Sequence, residues 1–390
     1  MPGTTGRQAE RGHRKGRTAW PGRVGGVLAA GAAAALALPA GTALASVPPG
    51  APQPYSRTDL VSSNPKLTPT ADPSTVDPWG VAEFPQGPLW VSNEGRGNTT
   101  LYGGADPGDP HQKLNPVPLV VSIPGGHPTG QAFNTTVTGG SPRFTVTDGK
   151  SRAPAVFLFA TLKGVIAGWA PTVGGTQAHP ATAARVGARV RGAVFTGLAQ
   201  QGHRLYAADA AHRSVDVFGP GFHLLKTPGR FRDPLIPRSF APFNIAAIGP
   251  AIVVTYAAPR AHLGAGFVDV FSPGGMLLKR LIRGGMLDQP WGVALAQAGD
   301  FGPFGGDLLI GNHGNGQINA FDPRTGRFLG TLRLGDGKPF IAPNLWGLIF
   351  GDGPSPTGNP PSAGSPSSLF FTAGTFRGAH GVIGEINVTN

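Results

Sequence analysis

A chain of 390 residues without cysteine excludes a disulfide framework, a lipid anchor on cysteine and a cysteine-bound zinc site. Its 62 glycines and 41 prolines, about a quarter of the sequence, suit disorder if aperiodic and many short strands if they punctuate a repeat, while hydrophobic residues at 40% supply a sizeable core. The formal charge of +12 comes without a basic stripe interleaved with aromatics, so nucleic acid is not an expected partner.

Residues 1–45 read as a targeting segment. Arg7, Arg11, Arg14, Lys15, Arg17 and Arg23 precede an apolar run over 24–38, and Ala43-Leu44-Ala45 forms a small-residue cleavage site. The run is short and alanine-rich for a membrane span, although an uncleaved anchor is the alternative. Secretion is therefore expected, with attachment to the cell envelope as a variant and no transmembrane segment after cleavage. Without this segment, 26 basic and 19 acidic residues remain, a net of +7.

A polar, proline-rich linker follows over 46–76. Within it, Thr58-Asp59-Leu60-Val61-Ser62 reads as an orphan strand. From 77 to 390 one unit recurs six times. A first strand opens after a breaker at Pro78-Trp79-Gly80, Pro128-Thr129-Gly130, Phe195-Thr196-Gly197, Pro242-Phe243-Asn244, Pro290-Trp291-Gly292 and Leu345-Trp346-Gly347. A second apolar strand often ends in a polar residue, as in Leu89-Trp90-Val91-Ser92-Asn93, and a third often ends in phenylalanine, as in Val215-Asp216-Val217-Phe218. Spacings of about 47 to 67 residues suit propeller blades. A four-stranded sheet cannot cover both its faces, and radial stacking solves that. The expected fold is all-β: a single six-bladed β-propeller, latched by the 58–62 strand pairing with the last blade, which lacks its own fourth strand. The Gly/Pro-rich stretches 139–153 and 351–368 read as loops.

These motifs resemble an uncharacterised family of secreted bacterial propeller proteins, some with PEP-CTERM tails. The residues that carry the likeness are Asp77-Pro78-Trp79-Gly80, Ala241-Pro242-Phe243-Asn244-Ile245, Pro290-Trp291-Gly292-Val293-Ala294, the run 311–322, Leu345-Trp346-Gly347-Leu348 and His380-Gly381-Val382-Ile383-Gly384. The resemblance implies a fold similar to NHL-repeat and gluconolactonase-type propellers and no established activity. The chain ends at Asn390 without such a tail.

In such blades the turn before the first strand and the turn after the second open on one face. Trp79, Trp291, Trp346, Asn244, Asn312, His313 and His380 are then candidate ligand-binding residues around the channel. Aromatic and carboxamide groups suit a glycan or a peptide. The alternative for each is structural, with Trp-Gly capping a blade and Asn or Asp closing a turn. By analogy with gluconolactonase-type propellers, Asn93, Glu94, Asp209 and Asn312 form a candidate oxygen set for Ca²⁺ or another divalent cation. Acidic residues are sparse, so no cofactor is the leading expectation. Neither His-Glu-x-x-His nor Gly-x-Ser-x-Gly occurs, and Gly149-Lys150-Ser151 lacks the glycine a phosphate loop needs at position 144, which is Phe144. No catalytic residue is assigned, and enzymatic activity stays open. Two functions follow: a monomeric binding or scaffold module for a glycan, peptide or envelope partner, or a metal-assisted, lactonase-like hydrolase.

Overall fold

Alternating apolar residues between glycine and proline breakers lay out six small antiparallel sheets around a common axis. The computed structural model describes residues 55–104, 113–260, 262–353 and 362–389. The expected targeting segment, 1–45, and the start of the linker lie outside them.

Blade I comprises Pro78–Ala82, Leu89–Asn93, Asn98–Gly103 and Asn115–Ser122, from the axis outward. Blade II follows with Pro128–Phe133, Phe157–Thr161, Val165–Trp169 and Arg185–Arg189. Blade III has three strands, Phe195–Gln201, Arg204–Asp209 and Ser214–Phe218. Blade IV uses Ala241–Ile248, Ala251–Ala257, Phe267–Phe271 and Leu277–Arg283, and blade V uses Pro290–Leu295, Leu308–Asn312, Ile318–Phe321 and Phe328–Thr331. Blade VI supplies Leu345–Phe350, Leu369–Thr375 and His380–Val388.

The expected latch is present. Tyr55–Ser62 pairs antiparallel with His380–Val388, from Tyr55 opposite Val388 to Ser62 opposite Val382, and becomes the fourth strand of blade VI, with the short Thr70–Ala71 parallel to its outer edge. Leu60 and Val61 are fully buried, and the Tyr55 hydroxyl donates to the Phe301 carbonyl of blade V at 2.9 Å. The two ends of the ring are thus tied through one sheet.

Because strand side chains alternate between faces, each blade feeds two cores. Ile252 and Val254 pack against blade III with Tyr206 and Val217, while Val253 packs against blade V with Leu308 and Ile310. The same alternation sends Phe157 and Phe159 toward blade I, and Leu158 and Ala160 toward blade III. Six apolar clusters result, one between each pair of neighbouring blades, and a seventh lies on the axis.

The glycine that follows the first-strand opening in five of the six blades is a spacing requirement. A Cβ on Gly130 would sit 2.2 Å from the Leu198 nitrogen of the next blade, and one on Gly80 would sit 2.3 Å from the Thr129 carbonyl oxygen. Inner strands approach closest where the ring is narrowest, so in those five blades only the smallest residue fits. Blade IV carries Asn244 there, and its amide donates to the Trp291 carbonyl at 2.7 Å.

Two details depart from the sequence expectation. Blade III has no fourth strand, because Gly219-Pro220-Gly221 breaks the chain; only Leu224–Leu225 follow the edge, through Leu225 N to Val217 O at 2.7 Å. The expected loop 139–153 contains all but the last residue of a small hairpin, Thr145–Thr147 paired with Arg152–Pro154. Among the described residues, no helix is long and apolar enough to cross a membrane.

Candidate functional site

Strand direction places two sets of connections on one face of the ring, here the upper face: the turns between second and third strands, and the links into each first strand. The link residues Asp77, His127, Gln289 and Asn344 all have positive φ, 45° to 52°. Recurrence in four blades makes this left-handed step a feature of the architecture, held at a cost of order 1 kcal/mol each.

At the centre of this face the side chains before the glycine ring converge. Four are aromatic, Trp79, Phe243, Trp291 and Trp346, and two are Thr129 and Thr196. Trp79 stacks on Trp346 at 3.6 Å between centroids, and Trp291 meets both edge-on at 6.3 and 5.7 Å. His313 stacks on the other side of Trp346 at 3.8 Å. The three tryptophans are only 4–8% exposed. They fill the axis instead of lining an open channel.

Polar partners fix each ring. Asp77 accepts from both Trp79 Nε1 and Trp346 Nε1 at 3.0 Å. Trp291 Nε1 reaches across the axis to the Thr196 carbonyl at 2.9 Å, which requires a short side chain in blade III. Burial holds the Asp77 carboxyl above its ordinary range, and the two indole donors only partly offset that. Burial also lowers the His313 imidazole to about 4, so it is neutral at physiological pH.

The candidate ligand residues therefore divide. Trp79, Trp291, Trp346 and His313 form the axial cluster, and Asn244 bonds blade IV to blade V beneath it. Asn312 accepts from Asp288 N and donates to the Met286 carbonyl and Asn315 Oδ1, tying its own turn to the link into blade V. His380 lies farther out, with Nδ1 3.1 Å from the Ser63 hydroxyl and its ring beside Phe376.

The candidate cation set is engaged locally in three separate blades. Asn93 donates to Asn98 Oδ1 and Thr100 Oγ1. Glu94 pairs with His127 at 2.7 Å. Asp209 is fully buried, accepts from the backbone of Val194, Ala211 and His212, and pairs with the His212 ring at 2.6 Å. Among the described residues, no group of three or more His, Asp or Glu side chains could hold a metal ion.

Sequence reasoning missed Asp77, Phe243 and Gln131. Gln131 bridges blades I and II, accepting from Ser92 and Thr99 and donating to the Trp90 carbonyl. The available signal was positional: Phe243 occupies the tryptophan column of the repeat, and Asp77 precedes its first copy.

No family model matches the chain. Uncharacterized protein R648 of Acanthamoeba polyphaga mimivirus is 30% identical over 340 residues, covering 84% of this chain and 78% of its own length. The chain belongs to the family of that viral protein. Uncharacterized protein L690 of the same virus is 27% identical over 343 residues, covering 84% of each. Both relatives are viral, so they do not establish the bacterial, secreted family that the sequence resembles. Similar solved structures include a streptogramin B lyase (TM-score 0.46, 11% identity, 86% of this chain and 97% of that one) and a chain of a nidogen/laminin complex (TM-score 0.44, 13% identity, 70% and 84%).

Proposed function

We propose that this protein is a binding or scaffold module whose upper face is a rigid docking platform. The observation that carries this reading is the closed axial cluster. With Trp79, Trp291 and Trp346 packed on one another, a partner meets the outer surface of the turns and does not enter a channel. A closed ring holds those turns on rigid strands, so little ordering is needed on binding. The leader-like pattern over 1–45 and the resemblance to a secreted family support an exported protein acting on a glycan, peptide or envelope partner. The metal-assisted hydrolase draws less support, because Asp209 and Asn312 spend their polar atoms on neighbouring backbone and side chains in different blades, which leaves only the buried Asn93 Oδ1 of these three residues without a partner among the described residues.

The test is a glycan and peptide array probed with the protein and with variants altered in the upper turns or in the lower ones. A ligand lost only with upper-turn changes supports the platform. Ligands lost only with lower-turn changes, or only on chelation, would remove it.

A further inference from the structure

The turn between second and third strands is equivalent in every blade, and five of the six carry one cation. They are Arg96 in blade I, Lys163 in II, Arg213 in III, Arg260 in IV and Arg377 in VI, and blade V has His313 there. All five are exposed, and none forms an ion pair with another described residue. Arg191, in the link from blade II to blade III, is a sixth exposed cation on the same face.

Most acidic residues of these turns and links are withdrawn or paired. Asp77, Asp209 and Asp288 are half-buried or buried, Glu94 is held by His127, Asp72 accepts from the Tyr102 hydroxyl, and the exposed Asp336 pairs with Lys338. Charges are thus segregated by position, with cations at the turn tips and these carboxylates beneath them. Three large apolar side chains also emerge here: Leu67 at 45%, Leu263 at 57% and Phe376 at 65% exposure. Phe376 and Arg377 are consecutive and both in the left-handed region, φ 50° and 60°. That conformation is strained for such residues, and it holds an aromatic ring and a guanidinium side by side at the turn tip.

We propose that the upper face docks flat onto a lipid bilayer carrying anionic headgroups. The proposal rests on the platform reading and gives it a partner. A ring of cations at equivalent turn tips matches a plane of negative charge, whereas a linear polymer would follow a groove or stripe. Phe376 and Leu263 then enter the headgroup boundary, which couples electrostatic attraction to apolar burial. Each basic side chain near such a surface adds about fivefold to affinity, so six suffice for stable attachment without a spanning segment.

The experiment is co-sedimentation of the protein with phosphatidylcholine vesicles, with and without about one-third phosphatidylserine, across a salt series. Binding should require phosphatidylserine and weaken as salt shortens the screening length. Arg213→Glu/Arg377→Glu should lose at least about 25-fold, and Phe376→Ala severalfold. Arg143→Glu/Arg152→Glu, on the lower face, should bind as the unaltered protein does, and circular dichroism confirms that each variant folds. Equal binding to both vesicle types, or full binding by the upper-face charge reversal, overturns the proposal. Heparin retention lost on upper-face reversal, without vesicle binding, also overturns it but leaves the platform reading standing. Loss of every ligand assignment to the upper face removes both.

Discussion

Replacing Trp346 by alanine separates a structural plug from a ligand-lining surface. The indole is sandwiched between Trp79 at 3.6 Å and His313 at 3.8 Å, and its Nε1 donates to Asp77 at 3.0 Å. Truncating a buried tryptophan costs about 3–5 kcal/mol. Leaving the buried Asp77 carboxylate one donor short adds about 1–3 kcal/mol. A total near 5 kcal/mol, set against an unfolding entropy of roughly 0.7 kcal/mol/K for a ring of this size, lowers Tm by about 7 °C. Thermal unfolding followed by far-UV circular dichroism measures this, and near-UV circular dichroism reports loss of the coupled indoles. Trp346→Phe, which keeps a stacking ring but loses the bond to Asp77, should fall between. A Trp346→Ala protein melting within about 2 °C of the parent would refute the reasoning, since a side chain spared by that truncation cannot be filling the axis.

Gly130→Ala should cost about 3 kcal/mol or more, because the new methyl meets backbone of blade III and no side chain can yield; Gly126→Ala, at φ 63° with open space around it, should cost only about 1 kcal/mol in urea unfolding. Asp209→Ala should lose about 1–3 kcal/mol by orphaning three backbone amides. Chelator should not reproduce that loss in the parent protein, and a chelator-sensitive Tm would bring back a cation at this residue. The Asp269 carboxyl is raised to about 7, first by burial and then by the Asp233 charge. Between its ordinary value and 7 the folded state binds the extra proton, so its contribution to stability rises as pH falls through that window, by up to about 1.4 kcal/mol per pH unit. Asp269→Asn should remove that slope in a Tm–pH series. An unchanged difference curve would show that Asp269 does not titrate there. His313 is lowered to about 4 and works the opposite way below its ordinary range, but it is common to both proteins and cancels in the comparison.

The ring and its latch were legible because their causes are local and repeated. A breaker and an apolar strand recur six times, five of them with a glycine, and Thr58-Asp59-Leu60-Val61-Ser62 is a strand without a partner in sequence beside a blade lacking one. The third blade's missing strand was not legible. Leu224-Leu225 is apolar enough for an edge strand, and only the course of the chain through Phe231, which packs into the core between blades III and IV, shows that it leaves early. The aromatic column was legible as a column but not as a plug. Whether three indoles line a channel or fill it depends on channel width and on the short Thr129 and Thr196 opposite them. Those are relations between blades that no window of sequence contains. Asp77 illustrates the same limit, because its two indole partners lie 2 and 269 positions away.

Closure of the axis changes how the surface charge should be read. In a ring with an open channel, carboxylates at the ends of second strands face a solvated lumen and can collect a cation. Here indoles fill the centre, and two carboxylates of this face are matched by donors of their own: Asp77 by two indoles, Asp209 by three amides and a histidine. Those matches draw negative charge inward and hold it in fixed hydrogen bonds. Exposed guanidiniums at the turn tips form no ion pair among the described residues, and solvent screens them from the acids below. A surface with its counter-charges turned inward attracts negative charge from outside. The same packing that removes a channel as a binding site therefore leaves the upper face electrostatically unpaired.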